Sequence, residues 1–288
     1  MTSTEAPGSP PGTPLSTPGS ATAPTAPGPL TGIRVLDLSR ILSGPLATMV
    51  LADLGADVIK VEDTKDGDDT RQWGPPFQGT EAAYFLAANR NKRGVSVDLK
   101  TDRGREFVLR LADRADVLVE NFRPGTADRL GLGHRELSAR NPRLVYASIS
   151  GYGQTGPWAS RPGYDAIAQA QSGMMSITGE PGGPPLRPGV ATADIGAGMW
   201  ATVGILAALL ARGTEGRGQH VDVSLLDGQL AWLTYVAGGY FAASSSPSGS
   251  VSRRCSPAST AAAPSATCCS WWSASSACGP APPTFPPP

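Results

Sequence analysis

Cysteine is absent from the charged body of the chain, which runs from Leu30 to Arg254. The four cysteines all follow it, and they are Cys255, Cys268, Cys269 and Cys278. Their spacing includes neither C-x-x-C nor a Cys/His pattern, so the sequence predicts no metal site. A body without cysteine fits a reducing compartment. The N-terminus also lacks the basic segment and apolar core of a secretory signal, and we therefore expect a cytoplasmic protein.

Histidine is scarce, and several catalytic patterns are missing. The chain has two histidines, His134 and His220, and it contains no G-x-S-x-G and no H-E-x-x-H. Nucleophilic serine or cysteine catalysis usually needs a nearby histidine base. The sequence therefore lacks the motifs that would support a hydrolase or a metalloenzyme. The 24 basic and 24 acidic side chains balance to a net charge of +0. Charge therefore gives no basis for a nucleic-acid partner or an anionic membrane partner.

The uncharged run 195–211 comes near the length of a membrane-spanning helix, but it is shorter than the ~20 residues needed to cross the hydrocarbon core. It also contains three glycines. We interpret it as a buried helix, and we expect no membrane partner.

Composition divides the chain into three regions. Residues 1–29 are mostly Pro, Ser, Thr, Gly and Ala, and they offer too little apolar surface to offset their ordering entropy, so we predict a disordered leader. Residues 30–243 carry periodic apolar patterns and form the predicted folded domain. Residues 244–288 are low in complexity and contain no acidic residue. The abrupt loss of charge indicates a tail translated in a shifted reading frame, and a mucin-like stalk is the alternative.

Strands and helices alternate through the folded region. The predicted strands are IRVLDLS, DVIKVE, GVSVDLK, DVLVENF and RLVYASIS, several of which have apolar residues at successive positions. Helical periodicity marks ATMVLADLGA and REFVLRLADRA, a further helix is predicted over about 164–176, and a long helix follows Asp194. GQHVDVS is a last strand that leads into a helix. Continuous apolar strands separated by helices predict an α/β fold whose parallel sheet is covered on both faces.

The segment GYGQTG, at 151–156, satisfies the G-x-G-x-x-G pattern of dinucleotide-binding loops. A strand precedes it as required, but the following PWASRPG cannot open a helix promptly, so the pyrophosphate would lack a helix N-terminus. We therefore favour a turn-rich loop over a nicotinamide or flavin site.

Asp194 is the only charged side chain between Arg187 and Arg212. At the N-cap or in the first turn of the long helix, its carboxylate can accept hydrogen bonds from free backbone N–H groups. The small residues Gly196 and Gly198 would equally leave room for a substrate, and a carboxylate can act there as a covalent nucleophile on an activated carbonyl. The local sequence leaves both roles open.

Arg123 lies just after the predicted strand DVLVENF. Ligands of open α/β sheets gather at the carboxyl ends of strands. An arginine there can bind a phosphate, and an ordinary solvated position is an equal alternative.

Five motifs that occur in order resemble the family III CoA-transferases. They are PLTGIRVLDLSRILSGPLATMVLADLGADVIKVE, NRNKRGVSVDLK, ADVLVENFRPG, NPRLVYASISGYGQTGP and GRGQHVDVSLLD. The resemblance covers roughly Pro29 to Phe241. It implies a Rossmann-like domain that binds coenzyme A (CoA) rather than a dinucleotide, in a homodimer whose two chains interlock.

The resemblance also implies roles for individual residues. ATADIGAGM matches the family motif that carries the nucleophile, so Asp194 is expected to attack an acyl-CoA thioester and pass the CoA to a carboxylic acid acceptor. The CoA thioester is then a substrate, and no tightly bound cofactor is expected. The positions that match the family's CoA contacts are Ser43, Leu99, Lys100, Asn121, Arg123 and Arg129.

The chain departs from the family pattern at several points. Asp63 stands where some members have an arginine, which removes one expected CoA contact. Tyr164 stands where the α-methylacyl-CoA racemases have a histidine, which favours a transferase because two-base proton exchange would lack one member. The stretch GDDTRQWGPPFQGTEAAYF and the loops that follow it most resemble members that handle dicarboxylic acids such as succinate and glutarate. Family chains also continue beyond the matched region, so we expect a truncated large domain, and an inactive CoA-binding fragment is the alternative.

Overall fold

A computed structural model describes residues 27–243 of the protein. All but the last three residues of the predicted leader, and the whole low-complexity tail at 244–288, lie outside the described residues. The disordered leader and the shifted reading frame therefore stay predictions.

Eight strands form a large sheet and a small hairpin. They are β1 Arg34–Asp37, β2 Asp57–Glu62, β3 Phe77–Gln78, β4 Glu81–Ala82, β5 Lys92–Ser96, β6 Val117–Glu120, β7 Val145–Ser150 and β8 His220–Ser224. Six of them pair in parallel in the order β5-β2-β1-β6-β7-β8, and β3 and β4 form an antiparallel pair. This sheet confirms the predicted α/β fold.

Nine α-helices connect or follow the strands within the described residues. They are α1 Ser43–Asp53, α2 Ala83–Asn89, α3 Asp102–Ala112, α4 Thr126–Arg129, α5 His134–Arg140, α6 Asp165–Gln171, α7 Thr192–Glu215, α8 Leu225–Trp232 and α9 Thr234–Ala242. Two short 3₁₀ helices lie at Asp69–Gln72 and Met174–Ile177.

Several predicted boundaries are wrong, and three of them have local reasons. The strand predicted at 94–100 is β5, which begins two residues earlier and ends at Ser96. Helix α3 begins at Asp102 because the Thr101 hydroxyl caps it by accepting a hydrogen bond from the backbone N–H of Gly104 at 3.1 Å. The helix predicted over 164–176 stops at Gln171, since Gly173 adopts a left-handed backbone with a φ of 88°.

Helices cover both faces of the sheet, and each face has its own core. On one face, Val35, Val117 and Val119 pack with residues of α1 and α7. On the other face, Leu36 and Leu118 pack with residues of α3 and α5. The apolar residues at successive positions of β1 and β6 thus point alternately to the two faces, and all of them are buried because neither face meets water.

Among the described helices, α7 is the one long and apolar enough to span a membrane by length and composition. Ala193, Ala197, Ala201 and Ile205 recur every four residues and are buried in the first core. The structure thus confirms the predicted burial for this face of α7. Its other face exposes Met199, Val203 and Leu210.

Gly198 determines how closely α7 approaches α1. A methyl group built on it would lie 2.6 Å from the backbone carbonyl oxygen of Ser43. We expect Gly198→Ala to lower the free energy of unfolding by ~1–3 kcal/mol, because the two helices must separate. Gly213, in the same helix, has no atom within 4 Å of such a methyl group. Gly213→Ala should raise the free energy of unfolding by ~0.5 kcal/mol through helix propensity. Urea unfolding measures both, and equal effects would contradict the prediction.

Candidate active site

A cleft opens at the point where the strand order reverses. The chain moves outward from β1 through β2 to β5 and then returns to β6 on the other side of β1. Loops after adjacent strands diverge there, which leaves a crevice outside the carboxyl ends of the sheet. The cleft has a volume of about 920 Å³. The polar and aromatic side chains in its wall are Ser43, Trp73, Tyr84, Asn121, Phe122, Arg123, Ser150, Arg161, Tyr164, Asp165, Arg187 and Asp194.

The loop between β1 and α1, residues 38–42, forms one wall and rests on buried charges. Asp37 is fully buried and accepts hydrogen bonds from the Ser39 backbone N–H at 2.9 Å and the Thr48 hydroxyl at 2.7 Å. The Lys92 ammonium lies 3.1 Å from its carboxylate. Burial favours the protonated acid, but the two lysines nearby, Lys92 and Lys60, and the hydroxyl donors outweigh it and hold the pKa of Asp37 at about 2.

Asn121 links this loop to the end of β6. Its side-chain oxygen accepts a hydrogen bond from the Arg40 backbone N–H at 2.8 Å, and its side-chain nitrogen donates to the Arg40 carbonyl at 2.7 Å. The same nitrogen lies 3.5 Å from the Ser43 hydroxyl. Asn121 therefore joins the loop after β1 to the end of β6, at the point where the strand order reverses. This contact holds Ser43 beside the cleft.

Asp194 is the third residue of α7, and its carboxylate does not cap the helix. Asp165 does so instead, because its Oδ1 accepts hydrogen bonds from the backbone N–H groups of Ala193 at 2.9 Å and Asp194 at 3.4 Å. The other oxygen of Asp165 accepts from the Gln169 amide at 2.7 Å. The cap interpretation of Asp194 is wrong, since a residue on a preceding helix takes that role.

The Asp194 side chain lines the cleft and accepts no hydrogen bond from any described residue. Burial, and next the negative charge of Asp165, raise the pKa of Asp194 to about 6. A perturbed carboxylate that faces a cavity without a partner is typical of a functional group rather than a structural one. Its position in the first turn also places it at the positive end of the α7 dipole.

From the sequence, we expected the glycines after Asp194 to leave room for a substrate, and this expectation is wrong. A methyl group on Gly196 would lie 3.0 Å from the indole nitrogen of Trp232, and one on Gly198 would meet the α1 backbone. Both glycines therefore allow helices to approach α7. The space beside the carboxylate comes from the cleft itself.

Three arginines bring positive charge to the cleft wall. Arg123 follows β6 as predicted, and Arg161 and Arg187 come from the loops on either side of α6. None of the three forms a salt bridge with a described residue, and Arg161 lies over the ring of Trp158 at 4.7 Å. Unpaired guanidinium groups in a cleft favour an anionic ligand.

The structure brings together four of the seven predicted site residues, Ser43, Asn121, Arg123 and Asp194. The other three lie outside the lining of the cleft. Leu99 packs against the second core, and Lys100 is exposed with its backbone N–H on the Asp98 carboxylate. Arg129 is exposed on α4 and donates to the Thr126 hydroxyl at 2.9 Å. Their CoA contacts stay predictions.

Sequence reasoning missed several residues of the cleft. The aromatic pair of Trp73 and Tyr84, whose ring centres are 5.2 Å apart, lies in the stretch GDDTRQWGPPFQGTEAAYF, but the resemblance gave these two side chains no role. Asp165 could have been found as an acidic residue at the start of a predicted helix, but its target is a different helix. The GYGQTG loop is confirmed as a loop, in which Gly153 and Gly156 have left-handed backbones and α6 starts only at Asp165.

Comparisons with known proteins match these features. The sequence profile of CoA-transferase family III matches residues 30–265. The chain is 53% identical over 212 residues to succinyl-CoA:glutarate CoA-transferase of Mus musculus, which covers 74% of this chain and 49% of that protein. It is 49% identical to succinate–glutarate CoA-transferase of Agrobacterium fabrum, with 76% of this chain and 56% of that protein covered.

A solved structure gives the same picture. The crystal structure of a CAIB/BAIF family protein from Brucella suis superposes with a TM-score of 0.75 at 48% identity, and covers 77% of this chain and 60% of that one. The chain spans about half the length of the curated mammalian relatives that it matches. The motifs, the sheet and the profile match together show that the chain belongs to CoA-transferase family III.

Proposed function

We propose that this protein transfers CoA from an acyl-CoA thioester to a free carboxylic acid, with Asp194 as the covalent nucleophile. The observation that carries the proposal is a carboxylate that faces the cleft with no hydrogen bond from a described residue, while Asp165 caps its helix. Such a group keeps its oxygen lone pairs available. A pKa of about 6 leaves it mostly ionised at neutral pH. Membership of the family supports the same assignment.

Two exchanges complete the transfer without water. A carboxylate oxygen of Asp194 attacks the thioester carbonyl, the C–S bond breaks, and CoA leaves as a thiolate with a mixed anhydride on the protein. The thiolate then attacks the aspartyl carbonyl, which releases the donor acid and leaves an aspartyl-CoA thioester. The acceptor carboxylate attacks this thioester and displaces the thiolate. The thiolate finally attacks the acceptor's carbonyl, and the new acyl-CoA leaves with Asp194 restored.

The other residues in the wall of the cleft suit CoA as a substrate. Ser43, Asn121 and Arg123 lie with Asp194 in the cleft, and Arg123 can pair with a phosphate. Leu99, Lys100 and Arg129 would contact a part of CoA that extends beyond the cleft. By resemblance to the family we also propose a cytoplasmic homodimer with no tightly bound cofactor.

For the acid we propose a dicarboxylate. The relatives named above act on succinyl-CoA and glutarate, and a relative from Acetobacter aceti, 47% identical, is an acetyl-CoA:oxalate CoA-transferase. Each of these names includes an acid with a second carboxylate. Arg161 and Arg187 offer unpaired guanidinium groups for that second carboxylate, because both line the cleft that contains Asp194.

The arginine assignment predicts a change in donor preference. Arg187→Gln and Arg161→Gln should each slow adduct formation from succinyl-CoA by about 10–100-fold relative to butyryl-CoA, because one charge-assisted hydrogen bond is lost. Stopped-flow release of CoA measures both donors. Arg217→Gln is the control, since that side chain is 76% exposed and pairs only with Glu215 among the described residues. Equal slowing of both donors would contradict a carboxylate contact.

One experiment tests the reaction itself. The full chain is incubated with succinyl-CoA, quenched with hydroxylamine, and digested for mass spectrometry. A hydroxamate on the peptide that contains Asp194 is expected, together with release of CoA. CoA binding without any adduct would support the non-catalytic CoA-binding alternative, and an adduct confined to another residue would overturn the choice of nucleophile.

A further inference from the structure

Ile41 has a left-handed backbone, with a φ of 70°. A β-branched residue rarely adopts this conformation, because its Cβ crowds the backbone carbonyl. Asn91 is the other non-glycine residue of this kind within the described part of the chain, and asparagine tolerates it well. Ile41 lines the cleft together with Leu42 and Ser43. The strained residue therefore lies in the wall of the site.

Two buried side chains hold the backbone on either side of the strain. The Ile41 N–H lies 3.3 Å from each carboxylate oxygen of Asp68. The Ser39 carbonyl accepts a hydrogen bond from the Lys60 ammonium at 2.8 Å. Lys60 and Asp68 in turn form an ion pair at 2.9 Å, with side chains 2% and 0% exposed. The pair therefore bridges the loop from one end of the strained segment to the other.

The position of Asp68 is itself fixed from several sides. Its Oδ1 accepts hydrogen bonds from the Thr70 backbone N–H at 3.0 Å and the Thr70 hydroxyl at 2.7 Å, and its own N–H donates to Glu62 at 2.9 Å. Burial favours its protonated form, but Lys60 and Thr70 outweigh burial and keep the pKa of Asp68 below its usual range. Asp68 is thus a rigid, ionised acceptor for the loop.

We propose that Lys60 and Asp68 are positioning residues, which clamp the 38–42 loop with Ile41 left-handed and so fix one wall of the cleft. Neither side chain lines the cleft, so they act through the loop. Without the clamp, Ile41 relaxes to an ordinary backbone conformation and moves Leu42 and Ser43 with it. The consequence for CoA binding rests on the function proposed above.

A double-mutant cycle separates positioning from general stability. Asp68→Asn keeps the side-chain shape but removes the charge that pairs with Lys60, and Ile41→Gly removes the need for a clamp because glycine adopts the left-handed backbone freely. The full chain, both single variants and the double variant are compared at a temperature where all are folded. Hydrogen exchange of the peptide 38–46 reports the loop, and calorimetry reports CoA affinity.

With Ile41 in place, Asp68→Asn should speed exchange at Arg40 and Ile41 about 10-fold and weaken CoA binding about 10-fold. In the Ile41→Gly background, Asp68→Asn should alter the exchange rate and the CoA affinity by less than about 3-fold each, because the effects of Asp68 and Ile41 are coupled. Asp66→Asn is the matched control, since Asp66 is exposed and makes no hydrogen bond or ion pair with a described residue. If Asp68→Asn fails to fold, Thr70→Val loosens Asp68 more gently and should speed loop exchange by about 2–3-fold.

The outcomes separate this inference from the proposed function. Unchanged loop exchange in Asp68→Asn, or equal effects in both backgrounds, overturns the clamp. If the native chain does not bind CoA while loop exchange follows the cycle, the proposed function fails and the clamp stands. Faster loop exchange with unchanged CoA affinity overturns the role of the clamp in binding.

Discussion

Replacing Asp194 by asparagine should abolish acyl transfer while the protein becomes more stable. An amide has no anionic oxygen to attack the thioester, so adduct formation from succinyl-CoA should fall by at least ~1,000-fold. CoA affinity should change by less than about 3-fold, because Asn has the same shape and the proposed CoA contacts are made by other residues. The helix keeps its cap, since that cap belongs to Asp165.

The gain in stability follows from the raised pKa of Asp194. Between its ordinary pKa of 3.8 and about 6, the folded protein retains a proton that the unfolded chain has lost, so ionisation opposes folding as pH rises. A shift of that size corresponds to ~3 kcal/mol, and partial solvent access reduces it to an expected ~1–2 kcal/mol. The stability advantage of Asp194→Asn should therefore be absent below about pH 4 and complete above about pH 7.

Urea unfolding at pH 4 and pH 8, with adduct formation followed at the same pH values, measures both effects. In the native protein, the rate of adduct formation should rise with pH through about 6, as Asp194 ionises. Asp165→Asn is the matched comparison, because its amide oxygen can still cap α7 while burial alone is left to raise the pKa of Asp194. In Asp165→Asn the midpoint of the rise in adduct formation with pH should move to lower pH. Retained transfer in Asp194→Asn would rule out the nucleophile.

Replacing Lys92 by methionine should cost the protein ~3–5 kcal/mol of unfolding free energy, because it removes the direct ion-pair partner of the buried Asp37 carboxylate and leaves only the weaker attraction of Lys60. The Lys92 and Asp37 side chains are 2% and 0% exposed. The Lys92 ammonium also donates to the Pro45 carbonyl at 2.9 Å and to the Asn89 side chain at 2.8 Å. Methionine fills the same volume but makes none of these contacts.

The pH dependence identifies the cause. In the native protein the pKa of Asp37 is lowered to about 2, so its stabilising contribution is present above its ordinary pKa of 3.8 and is lost as pH falls toward 2. In Lys92→Met the carboxylate loses the largest of the contributions that lower its pKa, and the loss of stability should shrink as pH falls because Asp37 can then protonate. The double variant Asp37→Asn with Lys92→Met should recover at least ~1–2 kcal/mol, since no buried charge is left unpaired.

Arg93 provides the control for this prediction. It lies next to Lys92 on β5 and pairs with Asp57, but their side chains are 66% and 45% exposed. Arg93→Met should cost less than ~1 kcal/mol, because water screens an exposed pair. If Arg93→Met proved as damaging as Lys92→Met, the special cost of the buried pair would be disproved.

The apolar pattern of the sequence was sufficient to predict the layers of this fold. DVIKVE and RLVYASIS have apolar residues on both sides, and such strands are stable only when helices cover both faces of a sheet. The predicted strand DVIKVE coincides with β2, and the helix after ATAD coincides with α7 to within a few residues. The order of the motifs was also sufficient to identify the family, because each motif is a short contiguous segment of the sequence.

The site depended on contacts that no local string contains. Asp165 caps α7 from 28 residues earlier, and Lys92 pairs with Asp37 from 55 residues away. Periodicity reports that a face is buried but not which element buries it, so the glycines beside Asp194 were mistaken for substrate space. The parallel α/β layers and the family could thus be read from the chain, since both are properties of local strings. The freedom of Asp194 from capping emerged only in three dimensions, because it depends on which carboxylate folding brings to the end of the helix.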